Sequence, residues 1–181
     1  MAVRLLFDTE TTGLLKSDVN DINEQPYIIE FYACKIDDDY NLIDEYETFI
    51  KPPIPITPQI TKITGISEEM VKDAPDFKAA YPEIAKFFFG VDEMIAHNLP
   101  FDRSMIANEL IRINKLINFP WPIKHTCTVE MSMGIEQRRL NLTSLHQHAT
   151  GKPLKDAHRA RNDVFGLVRC YHWLMEQKDN G

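Results

Sequence analysis

The stretch Val3-Arg4-Leu5-Leu6-Phe7-Asp8-Thr9-Glu10-Thr11-Thr12-Gly13-Leu14 decides the fold. Val3–Phe7 reads as a buried strand at the centre of a sheet covered by helices. Asp8 and Glu10 follow at a spacing of two, so in an extended chain they point to the same side. Like charges held this close raise each other's pKa unless a cation neutralises them. Hard divalent cations such as Mg²⁺ or Mn²⁺, which take oxygen ligands, meet that need. Taken alone, the segment fits a metal site and equally a solvated turn after a strand.

Two further segments bear on that choice. Ala96-His97-Asn98-Leu99-Pro100-Phe101-Asp102 follows a short apolar run, Met94–Ala96, and leads into the helical pattern Arg103–Ile111. Pro100 suits the first turn of that helix, where its missing N–H costs nothing. Asp102 falls in the same turn, where the positive end of the helix dipole favours a carboxylate. His97 reads as a structural hydrogen-bonder. The other segment is Ala157-His158-Arg159-Ala160-Arg161-Asn162-Asp163, which opens a helix with Ala160, Val164, Leu167, Tyr171 and Leu174 on its apolar face. Residues five apart on an α-helix are roughly 140° apart around the axis. His158 and Asp163 therefore meet only if His158 lies at or before the first turn, on the entering loop.

Asp-x-Glu-Thr-Thr-Gly-Leu, His-Asn-x-x-Phe-Asp and His-x-Ala-x-x-Asp, in this order and spacing, resemble the DEDDh exonuclease family. Within it the chain looks most like the proofreading epsilon subunit of bacterial DNA polymerase III and its stand-alone relatives. The resemblance runs from about Ala2 to Leu174 and takes in Pro26-Tyr27-Ile28-Ile29-Glu30 and Ile63-Thr64-Gly65-Ile66 as landmarks. It implies an α/β fold, a ribonuclease H-like mixed β-sheet flanked by α-helices, with Asp8 on the central strand.

The resemblance also implies a metal-dependent 3′–5′ exonuclease that hydrolyses single-stranded DNA ends to nucleoside 5′-monophosphates. Asp8, Glu10, Asp102 and Asp163 would hold two divalent metal ions, Mg²⁺ or Mn²⁺, with Asp8 shared between them. His158 would take the proton of the attacking water, a task suited to a pKa near 6.5. Thr11, Thr12 and Gly13 would form a tight turn that the terminal nucleotide approaches, and Leu14 and Ile66 would pack against the terminal bases. Phe101 would support the sugar or base, and Asn98 would contact the sugar–phosphate. Such apolar packing reads no base edge, so little sequence preference is expected. Ribonuclease T and oligoribonuclease apply the same chemistry to RNA ends. Thr11-Thr12-Gly13-Leu14 looks more like the DNA proofreaders than like oligoribonuclease, although a 2′-OH contact leaves no mark in sequence. A reading of another class, an inactive nucleic-acid-binding module, leaves the five intact motif residues unexplained.

The 181 residues suffice for a single domain, 1–181, and show no low-complexity linker or repeat. No apolar run approaches the ~18 residues of a membrane span, and no secretory leader is apparent. The three scattered cysteines suggest no disulfide framework, so a reducing cytoplasm is the expected compartment. His125, Cys127, His146 and His148 fit no zinc spacing. Strands are expected at Val3–Phe7, Tyr27–Ile36 and Leu42–Ile50. Helices are expected from a cap at Asp76 to Phe89, and at Phe101–Ile117, Thr143–Thr150 and Ala160–Gln177. Lys51–Pro58, rich in proline, reads as extended connection.

The net charge of −7 is unusual for a nucleic-acid binder. The charge is uneven, however. Acids crowd Asp18–Glu47, whereas Arg138, Arg139, Lys152, Lys155, Arg159, Arg161 and Arg169 gather around the third motif. A short, locally basic groove for a single-stranded 3′ end is expected, with no membrane partner. Leu14–Glu24 is a candidate flap. The epsilon subunit binds its polymerase through a further tail, and Glu176–Gly181 is too short for one, so a free-standing exonuclease, cellular or phage-encoded, is expected.

Overall fold

The computed structural model describes residues 2–136, 138–154 and 159–179. Strands β1 (Arg4–Thr11), β2 (Ile28–Ile36) and β3 (Leu42–Phe49) come first. Helices α1 (Pro58–Thr64), α2 (Glu68–Val71) and α3 (Phe77–Phe88) follow, then β4 (Glu93–Ala96), α4 (Leu99–Arg112) and β5 (Lys124–Cys127). Helices α5 (Thr128–Glu136), α6 (Leu142–Thr150) and α7 (Ala160–Asp179) complete the order. The sheet runs β3-β2-β1-β4-β5, with β1–β3 antiparallel and β4 and β5 parallel to β1. This is the expected mixed sheet with β1 at its centre.

Alternation along β1 divides the core. Leu5 and Phe7 join Phe31, Ile84, Phe88 and Met105 on the side covered by α3 and α4. Leu6 joins Tyr32, Cys34, Val164, Leu167 and Tyr171 on the side covered by α7. Phe7 meets Phe88 edge-on at 5.4 Å between ring centroids. Burying side chains of this size contributes about 2 kcal/mol each, so β1 is fixed by packing on both faces. Continued alternation sends Thr9 toward α4, and Asp8 and Glu10 toward α7. β3 is an exposed edge carrying Asp44, Glu45 and Glu47, charges that discourage pairing with another chain.

The helices depart from expectation in instructive places. α4 stops at Arg112 although Ile113 and Ile117 continue an apolar pattern. Asn114 takes a left-handed φ of 55°, and the Lys115 amide returns to the Leu110 carbonyl at 2.8 Å, a Schellman-type ending. α1 emerges from the proline-rich connection, where the Thr57 hydroxyl accepts from the Ile60 amide and Gly65 closes the helix at φ 73°. β5 and α5 are elements that the sequence pattern does not announce. Among the described residues, no helix is long and apolar enough to cross a membrane.

Candidate active site

β4 pairs with β1 only as far as Leu6, opposite Ile95. Beyond that point, among the described residues, the C-terminal end of β1 has no paired strand on that side, and the first turn of α4 packs there. There Asp102 is 2% exposed, and its Oδ1 accepts from the Thr9 amide at 3.0 Å and the Thr9 hydroxyl at 2.8 Å. Thr9, between the two acids of β1, thus ties α4 to the strand. Open α/β sheets place sites at such strand ends, where the chain reverses its direction of crossing.

On the other face, α7 brings Asp163 to β1. One carboxylate oxygen from each of Asp8, Glu10 and Asp163 can be chosen so that all three lie within 4.8 Å of one another. Asp102 stands outside this three-oxygen cluster but within electrostatic reach of it. Burial, then the charges of Asp102, Glu10 and Asp163, push the Asp8 carboxyl well above the usual range. Burial, with Asp163, Glu30 and Asp102, lifts Glu10 to about 8, and Arg159 pulls it back in part. Burial lifts Asp102 to about 7 against the lowering effect of the Thr9 bonds. The arrangement concentrates negative charge that its surroundings only partly offset.

The other expected residues fall out unevenly. His158 lies outside the described residues, which resume at Arg159. Thr11 is buried and its hydroxyl donates to the Gly13 carbonyl at 2.7 Å, closing the turn. Thr12 is held to Tyr27 by two bonds of 2.9 Å, from its amide to the Tyr27 carbonyl and from the Tyr27 amide to its hydroxyl. A Cβ on Gly13 would meet nothing within 4 Å, so no neighbour in the fold requires a glycine there. Leu14 is 80% exposed. Asn98 is exposed, takes the left-handed φ of 67°, and its Oδ1 is 3.4 Å from Nη2 of Arg139. Phe101 is half-buried against the core. Ile66 is a correction: it is 0% exposed and packed with Ile29, Ile56 and Val71, so it presents no surface to a base. The exposed apolar residue of that motif is Ile63, at 50%.

His97 has the structural character expected of it. Its Nδ1 lies 3.0 Å from the Thr128 hydroxyl, and burial drops its pKa to about 4, leaving the ring neutral. Two residues of the site escape motif reading. Glu30 lies in register opposite Glu10 and is fully buried, and Arg159 reaches across to it. The available signal was a charge inside the apolar run Ile28–Ile36.

Comparison with known proteins decides the family. The RNase_T family model, described as "Exonuclease", matches residues 5–171. The chain belongs to this exonuclease family. It is 45% identical over 177 residues to the PolC-type DNA polymerase III of Caldanaerobacter subterraneus subsp. tengcongensis, covering 96% of this chain and 12% of that protein. It is 30% identical over 129 residues to the DNA polymerase III epsilon subunit of Pasteurella multocida, covering 71% of this chain and 50% of the subunit. Among solved structures, the nuclease domain of 3′hExo, a DEDDh family member bound to rAMP, superposes with a TM-score of 0.76 at 13% identity, covering 98% and 92% of the two chains. Exonuclease X in complex with 5′ overhanging duplex DNA gives 0.68 at 22%, covering 96% and 92%. These structures share the fold of this chain.

Proposed function

We propose that this protein is a DEDDh-type exonuclease that shortens single-stranded DNA from its 3′ end, releasing nucleoside 5′-monophosphates. The observation that carries the proposal is the meeting of Asp8, Glu10 and Asp163 within 4.8 Å at the end of the central strand, beside buried Asp102. The donors are hard carboxylate oxygens, and burial first of all raises the pKa of Asp8, Glu10 and Asp102, a set that suits Mg²⁺ or Mn²⁺. Two such ions held by Asp8, Glu10, Asp102 and Asp163 supply, when bound, an acidified water and neutralisation of charge at the leaving 3′ oxygen.

The chain's own residues do the rest. His158, two positions before Ala160 in the sequence, accepts the proton of the attacking water. Thr9 holds Asp102 from two directions, so that carboxylate keeps its place as substrate enters. The turn Thr11–Gly13 offers backbone to the terminal nucleotide, and the open space at Gly13 leaves room for that approach. Exposed Leu14 supplies apolar surface to a terminal base, and Asn98 meets the sugar–phosphate. The names of the two polymerase III relatives support DNA as the polymer.

Replacement of Asp8 by alanine is expected to abolish metal-dependent nucleotide release while leaving the circular dichroism spectrum unchanged. Full activity in Asp8→Ala would overturn the proposal.

A further inference from the structure

A glutamate within a buried strand costs several kcal/mol unless both carboxylate oxygens find partners. Glu30 is such a residue, and it faces Glu10 directly across the β1–β2 ladder, where like charges destabilise. Among the described residues, its partners come from the start of α7. Arg159 donates to Oε1 from Nη2 at 2.9 Å and from Nε at 3.3 Å, and the Ala160 amide donates to Oε2 at 3.1 Å. The Ala160 amide belongs to the first turn, which has no acceptor inside the helix. The Arg159 carbonyl accepts from the Asp163 amide at 3.0 Å, so the residue Glu30 grips also opens the turn that carries Asp163.

We infer that Glu30, with Arg159, is a positioning residue: it locks the first turn of α7 to the strand beside Glu10 and so sets where Asp163 stands relative to Asp8 and Glu10. The inference rests on the metal-binding reading of that carboxylate cluster. Ala160 and Val164, fully buried, also pack the helix start against the sheet. Arg161 reaches Glu45 at 3.1 Å, but both side chains are well exposed on the sheet edge. Exposed pairs of that kind contribute little.

The signs of the charges make the inference testable. Removing Glu30 takes a negative charge from the neighbourhood of a cation site, and removing Arg159 takes away a positive one. Acting through charge alone, the two changes would shift cation affinity in opposite directions. Acting through position, both must weaken it, by the ~10–100-fold typical of groups that orient metal ligands. The experiment is calorimetric titration of Mn²⁺ into the wild type, Glu30→Gln, Glu30→Ala, Arg159→Gln and Arg159→Lys, without nucleic acid, with thermal unfolding of each metal-free protein in parallel. Weaker Mn²⁺ binding in both Glu30→Gln and Arg159→Gln, partly restored in Arg159→Lys, is expected. Tighter binding in Arg159→Gln, or unchanged binding in both, overturns the positioning role. Should Glu30→Ala not fold, Glu30→Gln retains an oxygen for the Ala160 amide and decides the matter with Arg159→Gln. A wild type that does not bind Mn²⁺ overturns the metal reading itself, and this inference with it.

Discussion

Removing divalent metal should make this protein lose stability as pH rises, over a window set by its own carboxyls. In the metal-free fold Glu10 titrates near 8 instead of 4.5, first through burial and then through Asp163, Glu30 and Asp102. A raised pKa means that the folded state holds a proton the unfolded chain has released. Stability from that proton is fully present below about pH 4.5 and is lost as pH climbs through about 8. At about 1.36 kcal/mol per pH unit, the rise from 4.5 to about 8 amounts to roughly 5 kcal/mol. Asp102, raised to about 7, and Asp8 act in the same direction. The three are linked through their charges, so their separate shifts do not add and roughly 5 kcal/mol stands for the cluster. A bound cation replaces those protons, so its affinity and its stabilising effect should grow with pH. The assay is urea unfolding from pH 5 to 8.5 in EDTA and in Mg²⁺. The EDTA curve should fall by several kcal/mol, the Mg²⁺ curve should stay nearly level, and Glu10→Gln should flatten the former. An EDTA curve without slope, or Mg²⁺ stabilisation equal at pH 5.5 and 8.5, would refute the reasoning.

Arg112 should matter for stability far from the carboxylates. Its guanidinium stacks 3.8 Å over Tyr27, donates to the carbonyls of Ile22, Gln25 and Pro26, and pairs with buried Glu109 at 3.2 Å. Arg112→Ala strands Glu109, whose Oε1 accepts from the Ile28 amide, and should cost about 3–5 kcal/mol in denaturant unfolding. A loss below about 1 kcal/mol would mean that Glu109 finds another partner. Asn98 should show the opposite balance. Its φ of 67° is a conformation glycine adopts freely, so Asn98→Gly should leave stability unchanged or raise it by up to about 1 kcal/mol. The same change should lower kcat/KM about tenfold through loss of one side-chain hydrogen bond to substrate. Steady-state kinetics beside thermal unfolding separates the two effects.

Legibility followed local physics. Leu5–Phe7 could only be a covered strand, and alternation alone placed Asp8 and Glu10 on one face. Gly90 takes a positive φ just past α3, where glycine is the usual residue, whereas Gly65 closes α1, a helix that the sequence pattern does not announce. The ordered motifs, through the family they resemble, brought Asp102 and Asp163 to the same strand end. What failed to show depends on neighbours distant in sequence. β5 is four residues of mixed polarity and becomes a strand because β4 offers it an edge. Ile63 and Ile66 flank the same Thr-Gly pair, and only packing against Ile29, Ile56 and Val71 shows that Ile66 is the inward one. Glu30 is one acid among those of Asp18–Glu47, and nothing local marks it out because its partners lie about 130 residues away, at the start of α7.

Metal-dependent hydrolysis from a 3′ end is tested by product analysis on matched 5′-labelled single-stranded DNA and RNA oligomers, in Mg²⁺ and then in EDTA. A ladder that shortens stepwise from the 3′ end of the DNA is expected, with nucleoside 5′-monophosphate as the only small product, and with its loss in EDTA. A ladder on RNA alone would contradict the choice of polymer. Intact oligomers in both Mg²⁺ and Mn²⁺ would contradict the claim itself.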